Sequence, residues 1–388
     1  MKKMNGKIAC VILASVVAAG SLSGCGKLDG AQTVATVDGE KVTLGMANYI
    51  VRDQQAMTES YYQMMSQSYG MDMASMGIWD EKAEDGRTYG ETAKDDVMDT
   101  IRTLYAMKSH AADYDVTISE EEQTRIEEAA KTFMEDNDAE TLEKLAVSET
   151  DMITYLELLT YREKLHDPMV ADVDKEVSDE EAGQSTVSVV KVSTVGTEKD
   201  EDGNTIELTK EEKEAKKEQA QQVLDKVKAS ENVAEADMSA LAKEVEESLY
   251  AYTPSFTTAG SEEDTLDQKV IDAVSSLKDG QLVQEVVEGT DGYYVVRLDK
   301  KNDEEATANK KESIISEREQ EAYDKLVEEW TEKAEIKVEE NVWKKVKVTD
   351  SVSFQYKPAE TSDTGSEEDA ADSSEEDTAD QPEEDTEE

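Results

Sequence analysis

Cysteine and histidine are scarce in this 388-residue chain, which has only Cys10, Cys25, His110 and His166. Both cysteines lie within the first 25 residues, so the rest of the chain has no disulfide framework. The two histidines lack partners at metal-ligand spacing. No phosphate-binding glycine loop, Ser/His/Asp arrangement or CxxC motif is present. We therefore expect no metal site and no cofactor.

Basic charge is also in short supply. The chain has 41 Lys and Arg against 93 Asp and Glu, which gives a formal net charge of −52. Nucleic acids and anionic lipid headgroups both require a basic surface, so neither is an expected partner. A high net charge instead keeps a protein soluble and separate from its neighbours.

Long apolar runs are absent after residue 30, so no transmembrane helix is expected. The first residues carry Lys2, Lys3 and Lys7, and the stretch from 8 to 22 is almost wholly apolar or small. A basic start followed by a short apolar segment is typical of a secretory signal, which is too short to span a bilayer. Residues 1–24 are therefore predicted to be a signal peptide that directs the chain out of the cytoplasm.

Cys25 follows small residues at the end of this segment, in the string Leu-Ser-Gly-Cys. This pattern resembles the lipobox of bacterial lipoproteins, in which the cysteine is acylated and becomes the new N-terminus. The resemblance implies lipidation of Cys25 and a lipid anchor on the extracytoplasmic side of the cell membrane. The alternative is an ordinary secretory signal with a chance cysteine near its end.

Composition divides the rest of the chain into two folded regions and a tail. The tail contains Ser, Thr, Asp and Glu with almost no basic residue, and it is predicted to be disordered because it has too little apolar surface to bury. The predicted segments are a signal peptide at 1–24, a lipidated tether at 25–32, a mainly helical domain at 33–182, an α+β domain at 183–302, a C-terminal helix and strand at 303–350, and an acidic tail at 351–388.

Local patterns predict the elements of the first region. Asp38 and Gly39 form a tight-turn pair between two short strands, and a helix should begin near Thr43. Two capping boxes predict further helix starts, Ser119 with Glu122 and Ser148 with Asp151. The region is predicted to be a helical bundle with a small β-element at its start.

The second region begins and ends with runs typical of strands. Residues 186–192 and 292–298 are rich in β-branched and aromatic side chains. Between them, Thr209 should cap a long helix, and shorter helices are predicted at 238–245 and 266–277. A helix at 308–336 is predicted to follow. The fold class is therefore α+β.

Several stretches together resemble one family. Residues 34–42 (Val-Ala-Thr-Val-Asp-Gly-Glu-Lys-Val) look like the opening of a helical chaperone domain, and 274–281 followed by 292–298 look like the end of a parvulin domain. The chain thus resembles the SurA/PrsA-like parvulin-type peptidyl-prolyl isomerases and chaperone lipoproteins. The resemblance implies a helical chaperone domain completed by a C-terminal helix, with an inserted parvulin-like α+β domain.

The family binds proline in an apolar pocket, and the resemblance carries that pocket over to Leu266 and Val270. The glycine-rich loop of the family is replaced by residues 252–256, so Phe256 is a further candidate for substrate binding. All three side chains are apolar, as the pocket requires. Leu266, Val270 and Phe256 are therefore the predicted contacts of the proline ring.

The family's polar site residues are two histidines and an Asp or Cys, and the match here is poorer. The C-terminal histidine falls on Tyr294, the first-strand histidine falls on Val189 or Val190, and the acidic position falls on Glu246 or Glu247. Tyr294 and Glu247 are the candidate catalytic residues by position. Because 183–302 contains no histidine, isomerase activity is expected to be weak or lost.

A methionine- and tyrosine-rich stretch precedes residue 80. It contains Met64, Met65 and Trp79, and flexible thioethers suit a surface that must accept many sequences. The functional hypothesis is that this stretch binds unfolded apolar polypeptides. The alternative is ordinary helix packing beside a loop.

The sequence as a whole favours an extracytoplasmic, lipid-anchored foldase or chaperone whose partners are unfolded secreted polypeptides. One alternative is an active peptidyl-prolyl cis-trans isomerase with a site that lacks histidine. Another is a non-catalytic surface interaction lipoprotein.

Overall fold

The computed structural model describes residues 27–69, 77–197, 199, 205–261 and 264–349, together with two short strands at 16–17 and 355–356. Cys25 and most of the predicted signal peptide and acidic tail lie outside the described residues. Among the described residues, no helix combines the length and the apolar character needed to cross a membrane.

Strands and helices alternate irregularly along the chain, and the mixed α+β class is confirmed. The strands are β1 (Val16–Val17), β2 (Thr33–Val37), β3 (Glu40–Thr43), β4 (Gln184–Ser193), β5 (Ala251–Tyr252), β6 (Ser255–Thr257), β7 (Gln281–Leu282), β8 (Val287–Glu288), β9 (Gly292–Lys300), β10 (Ile336–Val338) and β11 (Gln355–Tyr356). The helices are α1 (Leu44–Tyr69), α2 (Tyr89–His110), α3 (Glu120–Asp136), α4 (Ala139–Leu145), α5 (Glu149–Met169), α6 (Asp179–Ala182), α7 (Lys210–Lys228), α8 (Met238–Lys243), α9 (Gln268–Val274), α10 (Glu304–Lys333) and α11 (Glu340–Trp343).

The chain divides into two units by internal contacts. One unit comprises residues 1–101, 118–157 and 335–388, and the other comprises 102–117 and 158–334. We call them the terminal unit and the central unit, and each is described by itself.

The terminal unit contains a three-stranded antiparallel sheet in the order β10-β2-β3. Asp38 and Gly39 both have positive φ angles, 49° and 86°, so they form the predicted two-residue hairpin turn between β2 and β3. β10 adds to the other edge of β2, and it pairs Lys337 with Thr36. Residues 33–43 and 336–338, which are far apart in the sequence, therefore share one sheet.

Helix α1 is the centre of the terminal unit, and it begins next to Thr43 as predicted. Leu44 and Ile50 are buried on it, and Asn48 donates to the backbone oxygen of Leu145 at 2.7 Å. Both predicted capping boxes are confirmed, since Ser119 and Glu122 exchange hydrogen bonds and so do Ser148 and Asp151. Thr43 also donates to Asp151 at 2.5 Å.

A buried polar network holds the C-terminal segment on α1. Arg52 donates to the side-chain oxygen of Gln55 at 2.7 Å and to the backbone oxygen of Lys347 at 2.6 Å. Burial lowers the pKa of Arg52 to about 10, against the opposing influence of Glu59. The guanidinium therefore stays charged at neutral pH, and its hydrogen bonds compensate for the lost hydration.

The central unit is built on a six-stranded antiparallel sheet in which β4 and β9 are the central pair. β5 and β6 pair with β4, whereas β7 and β8 pair with β9. The predicted strands at 186–192 and 292–298 are confirmed as parts of β4 and β9, and Thr209 caps α7 with a capping box as predicted.

Two apolar clusters cover the two faces of this sheet. The first cluster packs α7 and α8 against one face through buried side chains that include Val190, Val223, Leu224 and Val295. The second packs α9 against the other face. Alternate residues of β4 and β9 enter different clusters, as the pleat of a strand requires.

Three helix predictions were displaced at their ends. The helix predicted at 238–245 ends two residues earlier, at Lys243. The helix predicted at 308–336 runs instead from Glu304 to Lys333, because Asp303 caps its first turn and because 336–338 form a strand. The helix predicted at 266–277 is confined to 268–274, since the Asp267 side chain accepts the backbone N–H of Lys269 and caps it.

The Arg52 network leads to a stability prediction. Arg52→Met removes the donor to the buried Gln55 side chain and to the partly buried backbone oxygen of Lys347, so it should lower the free energy of unfolding by about 1–3 kcal/mol. The measurement is urea unfolding followed by tryptophan fluorescence. Arg87→Met is the matched control, because Arg87 is exposed and its ion pairs with Asp85 and Asp95 lie on the surface, where they should contribute much less to stability. An equal loss of unfolding free energy in both variants would contradict the stabilising role of the Arg52 hydrogen bonds.

Candidate functional site

The second apolar cluster brings together four of the residues singled out in the sequence. Phe256, Leu266, Val270 and Tyr294 all belong to it, together with Val189 and Val296. β6 supplies Phe256, the segment capping α9 supplies Leu266, α9 supplies Val270, and β9 supplies Tyr294. The expected pocket residues are thus neighbours in space, on one face of the central sheet.

These pocket residues are packed against one another and leave little open apolar surface. Val270 is fully buried, and Phe256 and Leu266 are 5% and 9% exposed. Tyr294 is 3% exposed, so its ring is part of the same packing. In this state, a proline ring would have to displace side chains in order to enter.

The register of β4 decides between two candidates for the position of the first-strand histidine. Val189 belongs to the cluster that contains Tyr294, whereas Val190 faces α7 and α8 on the opposite side. Val189, and not Val190, therefore shares the face of Tyr294, and its side chain has no polar group.

Tyr294 is held by polar residues that the sequence did not single out. Its hydroxyl donates to Oδ1 of Asp291, and Oδ2 of the same carboxylate accepts from the Nζ of Lys191 at 2.5 Å. The Lys191 ammonium also lies 5.9 Å from the centre of the Tyr294 ring. One carboxylate therefore joins a phenol and an ammonium at the edge of the apolar cluster.

The charges in this group determine which proton is available. Burial raises the pKa of the Tyr294 phenol well above its ordinary value, and the hydrogen bond to Asp291 raises it further. The hydrogen bonds from Lys191 and from Tyr294 hold the pKa of Asp291 below its usual range. At neutral pH the Tyr294 phenol is therefore protonated and directs its proton to Asp291, which is an anion. Neither group readily gives a proton to a substrate.

A second carboxylate supports the same corner of the sheet. Asp267 accepts from the backbone N–H of Thr290 at 2.6 Å and from its hydroxyl at 2.8 Å. Partial burial opposes the charge, but hydrogen bonds from Thr290 and Lys269 outweigh it and lower the pKa of Asp267. A Cβ added at Gly289 would lie 2.5 Å from the Tyr294 ring and 2.7 Å from Asp267, so this position requires glycine.

Glu247, the candidate acid by position, lies elsewhere. It is exposed on the connection between α8 and β5, and it is not part of the cluster around Tyr294. Asp291 and Lys191 are the polar residues beside Tyr294. A signal for Lys191 was present in the sequence, as a lone charge inside a run of β-branched residues, and Asp291 directly precedes the final strand.

The methionine-rich candidates belong to the terminal unit. Met57, Tyr61 and Met64 on α1 are 57%, 55% and 57% exposed, and their spacing places them on one face of the helix. We call these three residues the α1 stripe. Met65 is half-buried beside the stripe. Trp79 is buried, and its indole N–H donates to Glu59 on α1 at 2.8 Å. It therefore stabilises α1 and is not part of the exposed stripe.

A separate cleft of about 590 Å³ lies in the central unit. Gln184, Thr258, Asn302 and Lys311 are among its lining residues, and none of the candidate site residues reaches it. The cleft is therefore distinct from the Tyr294 cluster.

Comparison with known families assigns the central region. Residues 198–309 match the PPIC-type PPIASE domain. The chain contains a parvulin-type domain. This confirms the resemblance drawn from the sequence, and the matched region includes Asp267, Asp291 and Tyr294. A search of curated protein sequences gave no match.

Several solved structures are similar to the chain. The foldase protein PrsA from Lactococcus lactis is 13% identical, with 80% of this chain and 96% of that chain covered and a TM-score of 0.31. The peptidylprolyl isomerase PrsA from Bacillus cereus is 22% identical, with 68% and 95% covered and a TM-score of 0.29. A SurA-like chaperone from Campylobacter jejuni is 12% identical, with 79% and 98% covered and a TM-score of 0.26.

The polar cluster predicts an unusual tyrosine titration. Asp291→Asn removes the negative charge beside the phenol, so the pKa of Tyr294 should fall toward the ordinary tyrosine value. Burial remains, so the value should stay above that of an exposed tyrosine. The measurement is a pH titration of ring-labelled tyrosine by NMR. An equal pKa of Tyr294 in Asp291→Asn and in the parent chain would contradict the coupling to Asp291.

Proposed function

We propose that this protein is an extracytoplasmic foldase or chaperone, anchored in the membrane through a lipid on Cys25, that binds unfolded secreted polypeptides. The observation that carries the proposal is the match of residues 198–309 to the PPIC-type PPIASE domain, in a chain that begins with a secretory signal pattern. Proteins that meet chains emerging from secretion require a surface that accepts many sequences.

The α1 stripe is the proposed holding surface. Three large apolar side chains more than half exposed on successive turns form a continuous strip that an unfolded apolar segment can cover. Complete burial of a side chain of this size contributes roughly 1.5–3 kcal/mol. Binding also costs conformational entropy, because the bound segment becomes ordered. The net affinity of such a strip is therefore modest. Modest affinity is suitable for a chaperone, because the client must be released.

The charge of the protein supports the same role. A net charge of −52 keeps copies of the chain apart while they hold aggregation-prone clients. Thioethers in the stripe adapt their shape to different partners, whereas a tyrosine between them supplies a rigid contact.

Prolyl isomerase activity is proposed to be weak. Rotation about an Xaa-Pro bond has a barrier of about 20 kcal/mol and takes tens of seconds or longer without catalysis. Residues 183–302 contain no histidine, and the pocket side chains are packed together. Both features reduce the stabilisation of a twisted imide.

A second candidate function is an active isomerase with a polar site that lacks histidine. The observation that favours it is the group formed by Lys191, Asp291 and Tyr294, which places hydrogen-bonding groups beside the apolar cluster. The two functions can coexist in one chain.

A holding assay tests the main proposal. The full chain carrying Cys25→Ser should suppress the light scattering of a reduced, unfolded secreted protein. Replacing Met57, Tyr61 and Met64 with serine should raise the concentration needed by about fivefold or more, since apolar contacts are lost.

The matched control removes three other exposed apolar side chains, Tyr89, Val195 and Ile206. This control should hold the client as well as the parent chain does, and circular dichroism should show both variants folded. Equal holding by the stripe variant and the parent would reject the stripe, and no holding by the parent would reject the chaperone function.

The lipid anchor leads to a separate prediction. Cys25→Ser should move the protein from the membrane fraction to the soluble extracytoplasmic fraction, because a dually acylated chain binds membranes firmly. Metabolic labelling with a fatty acid should mark the parent chain and not the variant. Labelling that persists in Cys25→Ser, or an unlabelled parent chain, would contradict acylation at this residue.

A further inference from the structure

Lys191 occupies an unusual place in the central sheet. It is the charged residue in the β-branched part of β4, and the register pairs it with Tyr294 on β9. On the other side, β5 pairs Val189 with Tyr252 and Val190 with Ala251. Tyr250 directly precedes β5, and continuing this register by one residue places it opposite Lys191.

The row formed by Tyr250, Lys191 and Tyr294 runs from solvent to core. Tyr250 is 62% exposed and Tyr294 is 3% exposed, while the Lys191 side chain between them is 30% exposed. Tyr252 also packs against the edge of the apolar cluster, 6.5 Å from the Tyr250 ring. Lys191 thus lies where the apolar cluster meets solvent, within reach of a peptide laid across the sheet.

The hydrogen bonds of the group leave Lys191 with spare donor capacity. Tyr294 uses its single proton on Asp291, so toward a peptide its hydroxyl can only accept. Lys191 directs an N–H to the other oxygen of Asp291, and an ammonium has three protons. Asp291 therefore fixes the direction of Lys191 without exhausting its donors.

The chemistry of prolyl isomerisation has a use for such a donor. In a planar imide the nitrogen lone pair is delocalised into the carbonyl group, and rotation about the C–N bond localises it on nitrogen. A donor aimed at this nitrogen interacts with the twisted state and not with the planar one, which is the condition for catalysis. No bond to the protein forms, and the ammonium keeps its proton throughout.

We propose that Lys191 is the catalytic hydrogen-bond donor to the prolyl nitrogen of a twisted Xaa-Pro bond, with Asp291 as its positioning residue. The proposal rests on the second candidate function and deepens it. It replaces the imidazoles of the family with an ammonium held by a carboxylate. It also explains why Asp291 bridges two side chains from neighbouring strands.

Exchange NMR on a short peptide amide, Ala-Ala-Pro-Phe, tests the proposal with the full chain carrying Cys25→Ser. This method detects catalysis of cis/trans exchange even when it is slow. Lys191→Met should lower the catalysed exchange rate by about tenfold or more at saturating peptide, as expected for loss of one transition-state donor. Lys191→Arg, which keeps a charged donor, should retain more activity than Lys191→Met.

The chain offers a matched control on the other face of the sheet. Lys217 lies 6.0 Å from the centre of the Tyr293 ring, a geometry close to that of Lys191 over Tyr294. Lys217→Met should leave the exchange rate unchanged. Asp291→Asn should lower the rate at saturating peptide and also lower the pKa of Tyr294, and together these effects separate positioning from a purely structural role.

Three results would overturn the proposal. One is an exchange rate in Lys191→Met equal to that of the parent, another is an equal loss in Lys217→Met, and the third is no catalysed exchange by the parent chain. The holding assay then separates the chaperone function from the role of Lys191. A parent chain that holds unfolded clients without catalysing exchange retains the chaperone function and loses only the role of Lys191.

Discussion

The long antiparallel pairing of β4 with β9 is the constraint on which the central unit depends. It joins strands that are about a hundred residues apart in sequence, in continuous register from Val187–Leu298 to Ser193–Gly292. The pleat sends alternate side chains to opposite faces, so this register decides which residues meet α7 and α8 and which meet α9. A slip of one residue would exchange the two sets and bury Lys191 under α7.

The same pairing determines the chemistry of the site. Lys191 and Tyr294 meet because they are register partners, and Asp291 reaches both because it directly precedes β9. The result is an anion between a neutral phenol and an ammonium, next to a closed apolar cluster. The group contains no imidazole, and burial together with the hydrogen bond to Asp291 holds the pKa of the Tyr294 phenol well above its ordinary value, so the phenol does not titrate near neutral pH. Any catalysis here must come from hydrogen bonding and desolvation, without proton transfer.

Local signals were sufficient for much of the fold. Several features were predicted correctly, since each depends on a few adjacent residues: the turn at Asp38 and Gly39, the capping boxes at Ser119 and Ser148, the helix cap at Thr209 and the two long strands of the central sheet. Helix ends were less accurate. The start of α10 is set by Asp303, whose carboxylate accepts from both Ala306 and the distant Thr186, and the second of these contacts has no local signature.

Most helices and strands, the parvulin-type character of residues 183–302 and their lack of histidine could be predicted from the sequence alone. These depend on residue identity and on short-range spacing. The folded structure was needed to show that Asp291 and Lys191, and not Glu247, adjoin Tyr294. It was also needed to show that Val189, and not Val190, shares the face of Tyr294. Burial likewise became known only from the fold, in which Trp79 is buried whereas Met57, Tyr61 and Met64 are exposed. The physical reason is that strand register and burial arise from contacts between distant residues, whose free energies are not encoded in any single stretch of the chain.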